Sequence, residues 1–266
     1  MKNKFFLVFL LLTKCILSAQ GADNSFHGYY ESPSEDTLYN SFSFDGNGKV
    51  LISGMDYGDY FTRNDSLIIY PDKSIFIFKI KKDELIGISN WVDKGIWTHK
   101  KDAPEIQKIN DPLSLQKKAE LLAEYYDKTK SLSKSDLDLE VLLNDKTYEI
   151  NDQLCDKGLA KACMNLFGLK MIKYTPGLLS DPEKIPSKKI KPHPELIVLS
   201  QKIIDLGEAE GYTALGSYYY TLGLKKEAYK TWEEGEKNGS LKSANVKASI
   251  EMLEESDKKG YKTTSK

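Results

Sequence analysis

The segment Tyr39–Ser53, YNSFSFDGNGKVLIS, decides the fold of the N-terminal part of this chain. Tyr39–Phe44 alternates large apolar and polar side chains, a pattern typical of a strand with one buried face. Asp45–Gly48 contains two glycines, which favours a tight turn, and Lys49–Ser53 is a second apolar run. Strand, glycine turn and strand together predict a β-hairpin.

The same rhythm extends on both sides of the hairpin, over residues 26–100, where runs rich in Tyr, Phe, Ile and Thr alternate with turn signals. The further predicted strands are Asp59–Arg63, Ser66–Tyr70, Ser74–Ile80, Glu84–Ser89 and a short last strand around Trp97. The predicted turns between them are Asn64–Asp65, Pro71–Asp72 and Lys81–Asp83. About seven short antiparallel strands predict a small barrel or sandwich.

A Gly-x-Trp motif, Gly95 and Trp97, lies near the end of this segment. With the strand rhythm, it resembles the small lipocalin-like β domains of secreted bacterial proteins, although lipocalins carry the motif in their first strand. The resemblance implies a barrel that binds a small ligand, and we keep this function as an alternative.

The hydrophobic period becomes helical in the second half of the chain. Residues 101–111 are polar and predict a linker, and residues 112–256 predict a helical domain. Five prolines between Tyr174 and Pro194 predict a loop that interrupts the helices. We expect residues 257–266 to form a disordered tail. The expected fold class is therefore α+β multidomain, with a β barrel or sandwich followed by a helical array.

The N-terminus has the order of a secretory signal peptide. Lys2 and Lys4 precede the apolar run Phe5–Leu12, and small residues lead to a predicted cut after Ala19, or alternatively after Gly21. A signal peptide of residues 1–19 implies an exported protein, periplasmic or extracellular. The apolar run is too short to span a bilayer, which disfavours a retained anchor. A lipid anchor on Cys15 is disfavoured because the preceding lysine is neither small nor neutral.

The number of cysteines and the net charge of the chain exclude some classes of function. Removal of the leader takes Cys15 and leaves Cys155 and Cys163, eight positions apart. In an exported protein such a pair predicts a disulfide before a metal or redox site, and two buried free thiols are the alternative. The chain has a net charge of −1, which does not fit a nucleic-acid-binding protein.

The helical half contains an internal repeat. Residues 155–166, CDKGLAKACMNL, align with residues 204–215, IDLGEAEGYTAL, and a fainter third copy begins near Gly239. In each copy, glycine ends one helix and small residues open the next, so neighbouring helices approach closely. Stacked helix hairpins of this kind bury apolar faces that no single hairpin buries alone.

The residues of the second copy resemble a Sel1-like repeat, a relative of the tetratricopeptide repeat. The resemblance is carried by Ala209–Tyr220 and then by Gly223, Ala228, Trp232, Gly239 and Ala244. It is good over residues 203–250, moderate over 150–172 and poor over 112–150. The spacing of Cys155 and Cys163 resembles the cysteine-rich Sel1-like proteins secreted by some bacteria, and it implies a disulfide that pins one inter-repeat turn.

No catalytic or metal-binding pattern stands out. The histidines His27, His99 and His193 are far apart in sequence, and neither Glu31 nor Asp102 shares a predicted helix face with one of them. We expect His193 to be solvent-exposed in the proline-rich loop. We therefore expect no catalytic residues, no metal and no cofactor.

The expected function is that of an exported, non-enzymatic module whose helical repeats bind a protein or peptide partner. Tyr218 and Tyr220 are the candidates for partner contact, and Tyr219 is expected to pack in the core. The family resemblance keeps a secreted β-lactam-type hydrolase as an alternative. Ser131–Lys134 matches the letters S-x-x-K, but it lies in a predicted turn and we interpret it as chance. We expect no nucleic-acid partner and no membrane span after leader removal.

Overall fold

The computed structural model describes residues 21–34, 37–71, 74–102, 113–130, 144–175 and 190–258. The predicted signal peptide and most of the predicted linker, proline-rich loop and tail lie outside the described residues, as does Ser131–Lys134.

Eight antiparallel strands form a closed barrel in which each strand pairs with the next and the first pairs with the last. The strands are β1 (His27–Glu31), β2 (Ser41–Asp45), β3 (Lys49–Ile52), β4 (Asp56–Arg63), β5 (Ser66–Tyr70), β6 (Phe76–Lys81), β7 (Glu84–Gly87) and β8 (Ile96–Lys100). The β domain is thus a barrel and not a sandwich.

The predicted hairpin is confirmed, with Ser43 of β2 opposite Leu51 of β3. Strand β1 was not predicted. It is short and contains Gly28 at φ 119°, a conformation that the alternation of side chains does not reveal. Pairing of Tyr30 in β1 with His99 in β8 closes the barrel.

Side chains fill the barrel interior. Phe42 lies at its centre, with ring centroids 5.2 Å from Phe78 and 5.5 Å from Trp97. The buried interior residues are Tyr30, Phe42, Phe44, Val50, Ile52, Tyr60, Leu67, Ile69, Phe76, Phe78, Leu85, Val92 and Trp97. A barrel of this size is just wide enough for side chains to fill it, and this filling argues against the alternative of a ligand-binding barrel.

Within the described residues, seven helices follow the barrel. They are α1 (Leu115–Thr129), α2 (Asp145–Asp156), α3 (Ala160–Tyr174), α4 (Pro194–Asp205), α5 (Glu210–Thr221), α6 (Lys225–Lys237) and α7 (Leu241–Lys258). Their apolar faces form a second core, which also includes Phe61, Ile68 and Tyr70 from the outer face of the barrel. The two parts therefore share a hydrophobic contact.

Four helix–helix turns share one geometry. Gly158, Gly207, Gly223 and Gly239 have φ between 75° and 95°, and each ends a helix. In each turn, the N–H of the residue after glycine donates to the carbonyl five residues earlier, as Leu159 does to Leu154. This is the Schellman arrangement, in which a left-handed residue satisfies carbonyls at a helix end. The equivalence predicted for the turns at Gly158 and Gly207 is therefore observed.

The disulfide prediction also agrees with the structure. The Sγ atoms of Cys155, near the end of α2, and Cys163, in α3, lie 2.10 Å apart across the turn that contains Gly158. Both cysteines are buried. The pair therefore joins two consecutive helices of the array at their shared turn.

Candidate functional site

The barrel contacts the array along one edge, where the N-terminal ends of α1, α3, α5 and α7 meet strands β3, β4 and β5. Each of these helices contributes one charged side chain at or next to its first turn. The contacts are Lys118–Asp59 at 2.9 Å, Lys161 Nζ at 5.9 Å from the Tyr70 ring centroid, Glu208–Lys49, and Lys242–Asp56 at 3.3 Å. Acidic side chains of the barrel at helix N-termini also interact favourably with the helix dipoles.

Four charged side chains at the centre of this contact, which we name the junction, are buried together. Lys49 and Asp59 come from adjacent strands, Lys118 from α1, and Glu208 from the turn before α5. Their side chains are 7%, 8%, 5% and 14% exposed. They line a cavity of only about 10 Å³ with Leu113 and Leu206 among the other walls.

The protonation states at the junction are fixed by mutual pairing. Burial raises the pKa of Asp59, but the ammonium groups of Lys118 and Lys49 outweigh burial and hold that pKa below its usual range. Burial likewise opposes the charge of Lys49, yet the carboxylates of Asp59 and Glu208 raise its pKa. Asp59 and Lys49 are therefore both charged at neutral pH, and their ion pair lies where the barrel contacts the array.

A second polar cluster lies at the opposite end of α3 and is open to solvent. Glu195, in the first turn of α4, accepts hydrogen bonds from Lys170 Nζ at 2.8 Å and from the Tyr174 hydroxyl at 2.7 Å. The ring of His193 stacks on Tyr174 with centroids 3.6 Å apart and planes 10° from parallel. Lys170 Nζ also lies 5.6 Å from the ring centroid of Tyr148 in α2. We name Tyr148, Lys170, Tyr174, His193 and Glu195 the open cluster.

Lys170 and Glu195 of the open cluster are both charged at neutral pH. Burial acts to lower the pKa of Lys170, but hydrogen bonds and charge interactions with Glu195 and Tyr148 together outweigh burial, so the pKa is raised. The hydrogen bonds from Lys170 and Tyr174 lower the pKa of Glu195, and the same carboxylate raises the pKa of Tyr174. The cluster thus presents an ion pair, a phenol and a flat aromatic stack, which are groups suited to recognition.

Tyr218 supports this cluster from the core and does not face a groove. Its hydroxyl accepts a hydrogen bond from the backbone N–H of His193 at 2.9 Å, and the residue is 1% exposed. Its ring also lies 6.3 Å from that of Phe167 in α3. The expectation that Tyr218 contacts a partner is therefore corrected. Tyr219, which was expected in the core, is only partly buried.

Tyr220 lies in a separate polar group near the C-terminus. It donates to Glu254 Oε1 at 3.2 Å, and Tyr229 donates to the other oxygen of the same carboxylate at 3.3 Å. Lys225 forms an ion pair with Glu254 at 2.5 Å. Tyr220 is partly buried, and its role in partner contact stays a prediction.

The histidines do not come together. His193 is half-buried against Tyr174, although sequence reasoning expected it in solvent. His99 lies on the barrel beside Tyr30, and His27 is exposed at the start of β1. Within the described ranges, no group of three or more His, Cys, Asp or Glu side chains is arranged to hold a metal ion. No helix in the described part of the chain is long and apolar enough to cross a membrane.

Charge is unevenly distributed along the sequence, with an excess of lysines between two members of the open cluster, Lys170 and His193. The stretch from Lys170 to His193 contains six lysines and two acids, in a chain whose net charge is −1. Among the described lysines of this stretch, Lys173 and Lys191 are exposed. The proline-rich loop was predicted from the sequence, but the contact of His193 with Tyr174 at the end of that loop was not.

Comparison of the chain with protein-family models, curated proteins and solved structures returned no match.

Proposed function

We propose that this protein is an exported, non-enzymatic interaction module whose helical array binds an acidic segment of a protein or peptide partner. The observation that carries the proposal is the open cluster, in which the exposed Glu195 and the partly buried Lys170, Tyr174 and His193 form a polar and aromatic surface beside the exposed lysines Lys173 and Lys191. Exposed lysines such as Lys173 and Lys191 attract an acidic partner and steer its approach.

The chemistry of both clusters favours recognition over proton transfer. A general acid or base works best when its pKa lies near the working pH. Here the pKa of Lys170 is raised and that of Glu195 is lowered, so each group moves away from neutrality. The shifts at Lys49 and Asp59 have the same directions.

The repeated turn supports an interaction array. Four helix ends share a left-handed glycine and the same hydrogen bond, which is the local geometry expected of stacked hairpins. Together with the pattern in Ala209–Tyr220, this geometry supports the resemblance to Sel1-like repeats. The leader-like N-terminus and the pairing of Cys155 with Cys163 support export, because disulfides persist in oxidising compartments.

A random peptide library displayed on phage tests the proposal when it is panned against the full chain from which the predicted leader is removed. We expect the selected peptides to be enriched in Asp and Glu, because they must complement exposed lysines. Binding of one selected peptide should weaken several-fold between low and physiological salt, since exposed charges are screened.

Matched charge variants test whether the exposed lysines beside the open cluster bind the peptide. Lys173→Gln combined with Lys191→Gln removes two exposed positive charges beside the open cluster, and we expect about tenfold weaker peptide binding. Lys100→Gln combined with Lys79→Gln removes two charges from the barrel and should leave binding unchanged. Equal losses in both pairs, or selected peptides without acidic enrichment, would contradict the proposal.

The two alternative functions have less support. The filled barrel interior argues against ligand storage. The S-x-x-K letters at Ser131–Lys134 lie outside the described residues, so no observed geometry favours a β-lactam-type hydrolase. Turnover of a chromogenic β-lactam by the purified chain would support the alternative function of a β-lactam-type hydrolase.

A further inference from the structure

The last helix of the array, α7, is held mainly by polar contacts. Over residues 241–256 no apolar side chain is buried, and the buried side chain of this stretch is that of Ser243. Near the other end of the helix, Glu254 pairs with Lys225 and accepts a hydrogen bond from Tyr220. A helix with few buried apolar contacts opens at a low cost in free energy. The polar contacts at the start of α7 therefore decide how firmly it docks.

Four oxygen-bearing side chains join the start of α7 to the start of α5. Oε2 of Glu210 lies 2.9 Å from both Thr213 Oγ1 and Ser240 Oγ. These two hydroxyl oxygens lie 2.8 Å from each other, and Thr213 Oγ1 lies 2.7 Å from Ser243 Oγ. Ser240 is 2% exposed and Ser243 is 0% exposed. We name Glu210, Thr213, Ser240 and Ser243 the carboxyl–hydroxyl cluster.

The number of hydrogens in this cluster depends on whether Glu210 is ionised. The oxygens of Glu210, Thr213 and Ser240 form a closed triangle whose three sides are all hydrogen-bond distances, so the triangle needs three hydrogens. Each hydroxyl supplies one, and the hydroxyl of Ser243 lies outside the triangle, where it donates to Thr213. An ionised carboxylate only accepts, which leaves one side of the triangle without a hydrogen.

A protonated carboxyl group supplies the missing hydrogen. Glu210 then donates to Ser240, Ser240 donates to Thr213, and Thr213 donates back to Glu210. The backbone N–H of Ser243 occupies one lone pair of Ser240 Oγ at 3.0 Å, and the other lone pair accepts from Glu210. Every contact of the cluster is therefore satisfied when Glu210 carries a proton.

The charges around Glu210 favour the same form. Burial raises the pKa of its carboxyl group, and the negative charge of Glu208 raises it further. The positive charge of Lys242 and the hydrogen bonds within the cluster act in the opposite direction, but they are outweighed, and the pKa lies above its ordinary value. Lys242 is also shared, because it pairs with Asp56 of the barrel at 3.3 Å.

Other charged side chains on the neighbouring elements β3, α6 and α4 have partners of their own. They are Lys49 with Glu208, Lys237 with Glu234, Lys247 with Glu236, and Asp205 with Gln201. The charges that act on Glu210 are therefore those of Glu208 and Lys242.

From the closed triangle of oxygens and the polar docking of α7, we propose that Glu210 is a carboxylic acid in the folded protein and that loss of its proton loosens α7 from the array. The carboxyl–hydroxyl cluster is then a proton-dependent latch for the last helix. Because α7 also brings Lys242 to Asp56, the latch acts on the contact between this helix and the barrel as well.

The sign of the pH effect follows from the direction of the shift. The pKa of Glu210 is raised in the folded state, so docking of α7 is strongest below the ordinary pKa of glutamate and weakens as the pH rises to the folded-state pKa. Within this window the docking equilibrium should fall by up to about tenfold per pH unit. Glu254 has the opposite sign, because its hydrogen bond from Lys225 lowers its pKa.

Carbon NMR of the full chain from which the predicted leader is removed measures the proton directly. The Cδ resonance of Glu210 is assigned through the backbone, so this measurement needs no variant. We expect its titration midpoint to lie above that of glutamate in the same chain unfolded in urea, and the midpoint of Glu254 to lie below it.

Hydrogen exchange of the α7 amides, followed by mass spectrometry at a series of pH values, tests the latch. Glu210→Gln has a side chain of the same shape that donates and accepts at every pH, and comparison at equal pH cancels the intrinsic pH dependence of exchange. Protection of α7 in the unchanged protein relative to Glu210→Gln should fall as the pH rises. Glu254→Gln is the matched control, and protection relative to it should rise with pH.

Two results would overturn the proposal. The first is a midpoint of Glu210 at or below that of the unfolded chain, and this measurement decides even where Glu210→Gln does not fold. The second is protection relative to Glu210→Gln that stays constant or rises with pH, since α7 would then not respond to the proton of Glu210.

Discussion

Asp59 of strand β4 and Lys118 of helix α1 form an ion pair at 2.9 Å in which both side chains are more than nine-tenths buried. The two residues are 59 positions apart in sequence, and one belongs to the barrel and the other to the array. Asp59 also pairs with Lys49 at 3.0 Å, and Lys49 pairs with Glu208. The barrel and the array are therefore joined by a buried charge network as well as by apolar contact.

Asp59→Asn should strongly destabilise the protein. The change keeps the shape of the side chain but removes the buried carboxylate that pairs with both Lys49 and Lys118. Removal of one partner from a buried ion pair costs about 3 kcal/mol or more, because an uncompensated charge remains. Urea unfolding followed by circular dichroism measures the loss. Asp65→Asn, at an exposed carboxylate 3.6 Å from Lys79, should change the unfolding free energy by less than about 0.5 kcal/mol, and similar effects of both variants would argue against the network.

The same network should make stability fall at acid pH. The pKa of Asp59 in the folded state is below the ordinary value of an aspartate, so on acidification the unfolded chain takes up this proton first. The contribution of Asp59 is therefore fully present above its ordinary pKa and is lost as the pH falls through the folded-state pKa. Urea midpoints measured between about pH 6 and about pH 2 should fall less steeply in Asp59→Asn than in the unchanged protein. An identical pH dependence would contradict the assigned role of Asp59.

Much of the fold could be predicted from patterns within short stretches of the sequence. The hairpin at Tyr39–Ser53 was predictable because alternation and a glycine turn are both encoded within a few residues. The glycines at 158 and 207 were predictable in the same way, because a left-handed helix end favours glycine whatever the surroundings. Closure of the barrel was not predictable from pattern alone, because it depends on pairing between β1 and β8, some 70 residues apart.

The junction was missed because its members are distant in sequence. Lys49, Asp59, Lys118 and Glu208 each resemble an ordinary surface charge when read alone. One signal was available. Glu208 occupies the position that Leu159 has in the first repeat copy, so a charge replaces an apolar residue immediately after the turn glycine. That replacement is explained by the pairing of Glu208 with Lys49.

The sequence also did not show which of three consecutive tyrosines is buried. They are Tyr218, Tyr219 and Tyr220. Successive helical residues point about 100° apart, so an error of one position in helical phase exchanges a core residue with a surface residue. The phase of α5 is set by packing against other helices, as in the contact of Tyr218 with Phe167. A run of identical residues carries no signal of that phase.

Loss of the Cys155–Cys163 disulfide should destabilise the array moderately. The cross-link closes a short loop and removes freedom from the unfolded chain, which is worth about 2.5 kcal/mol on a chain-entropy estimate. Cys155→Ala alone and the double variant with Cys163→Ala should lose similar stability, because either one removes the bond. Intact mass with and without reductant checks the bond directly by a gain of two hydrogens. Unchanged mass and stability would indicate free thiols.

Gly216→Ala tests the close packing of α5 on α6, which holds the second repeat together. A Cβ at Gly216 would lie 2.4 Å from Nε1 and 2.5 Å from Cδ1 of Trp232, a residue that is 1% exposed. Because that ring has little room to move, we expect a loss of about 1–3 kcal/mol in urea unfolding.

Gly168→Ala is the matched control in α3, where an added Cβ meets no heavy atom within 4 Å. There the change should stabilise the protein by about 0.5–1 kcal/mol, because alanine loses less backbone freedom than glycine in a helix. If the unfolding free energy falls on Gly216→Ala and rises on Gly168→Ala, contact with Trp232 explains why position 216 requires glycine. Equal effects would show instead that helix propensity alone decides both positions, and that the small residues of the repeat do not set the approach of its helices.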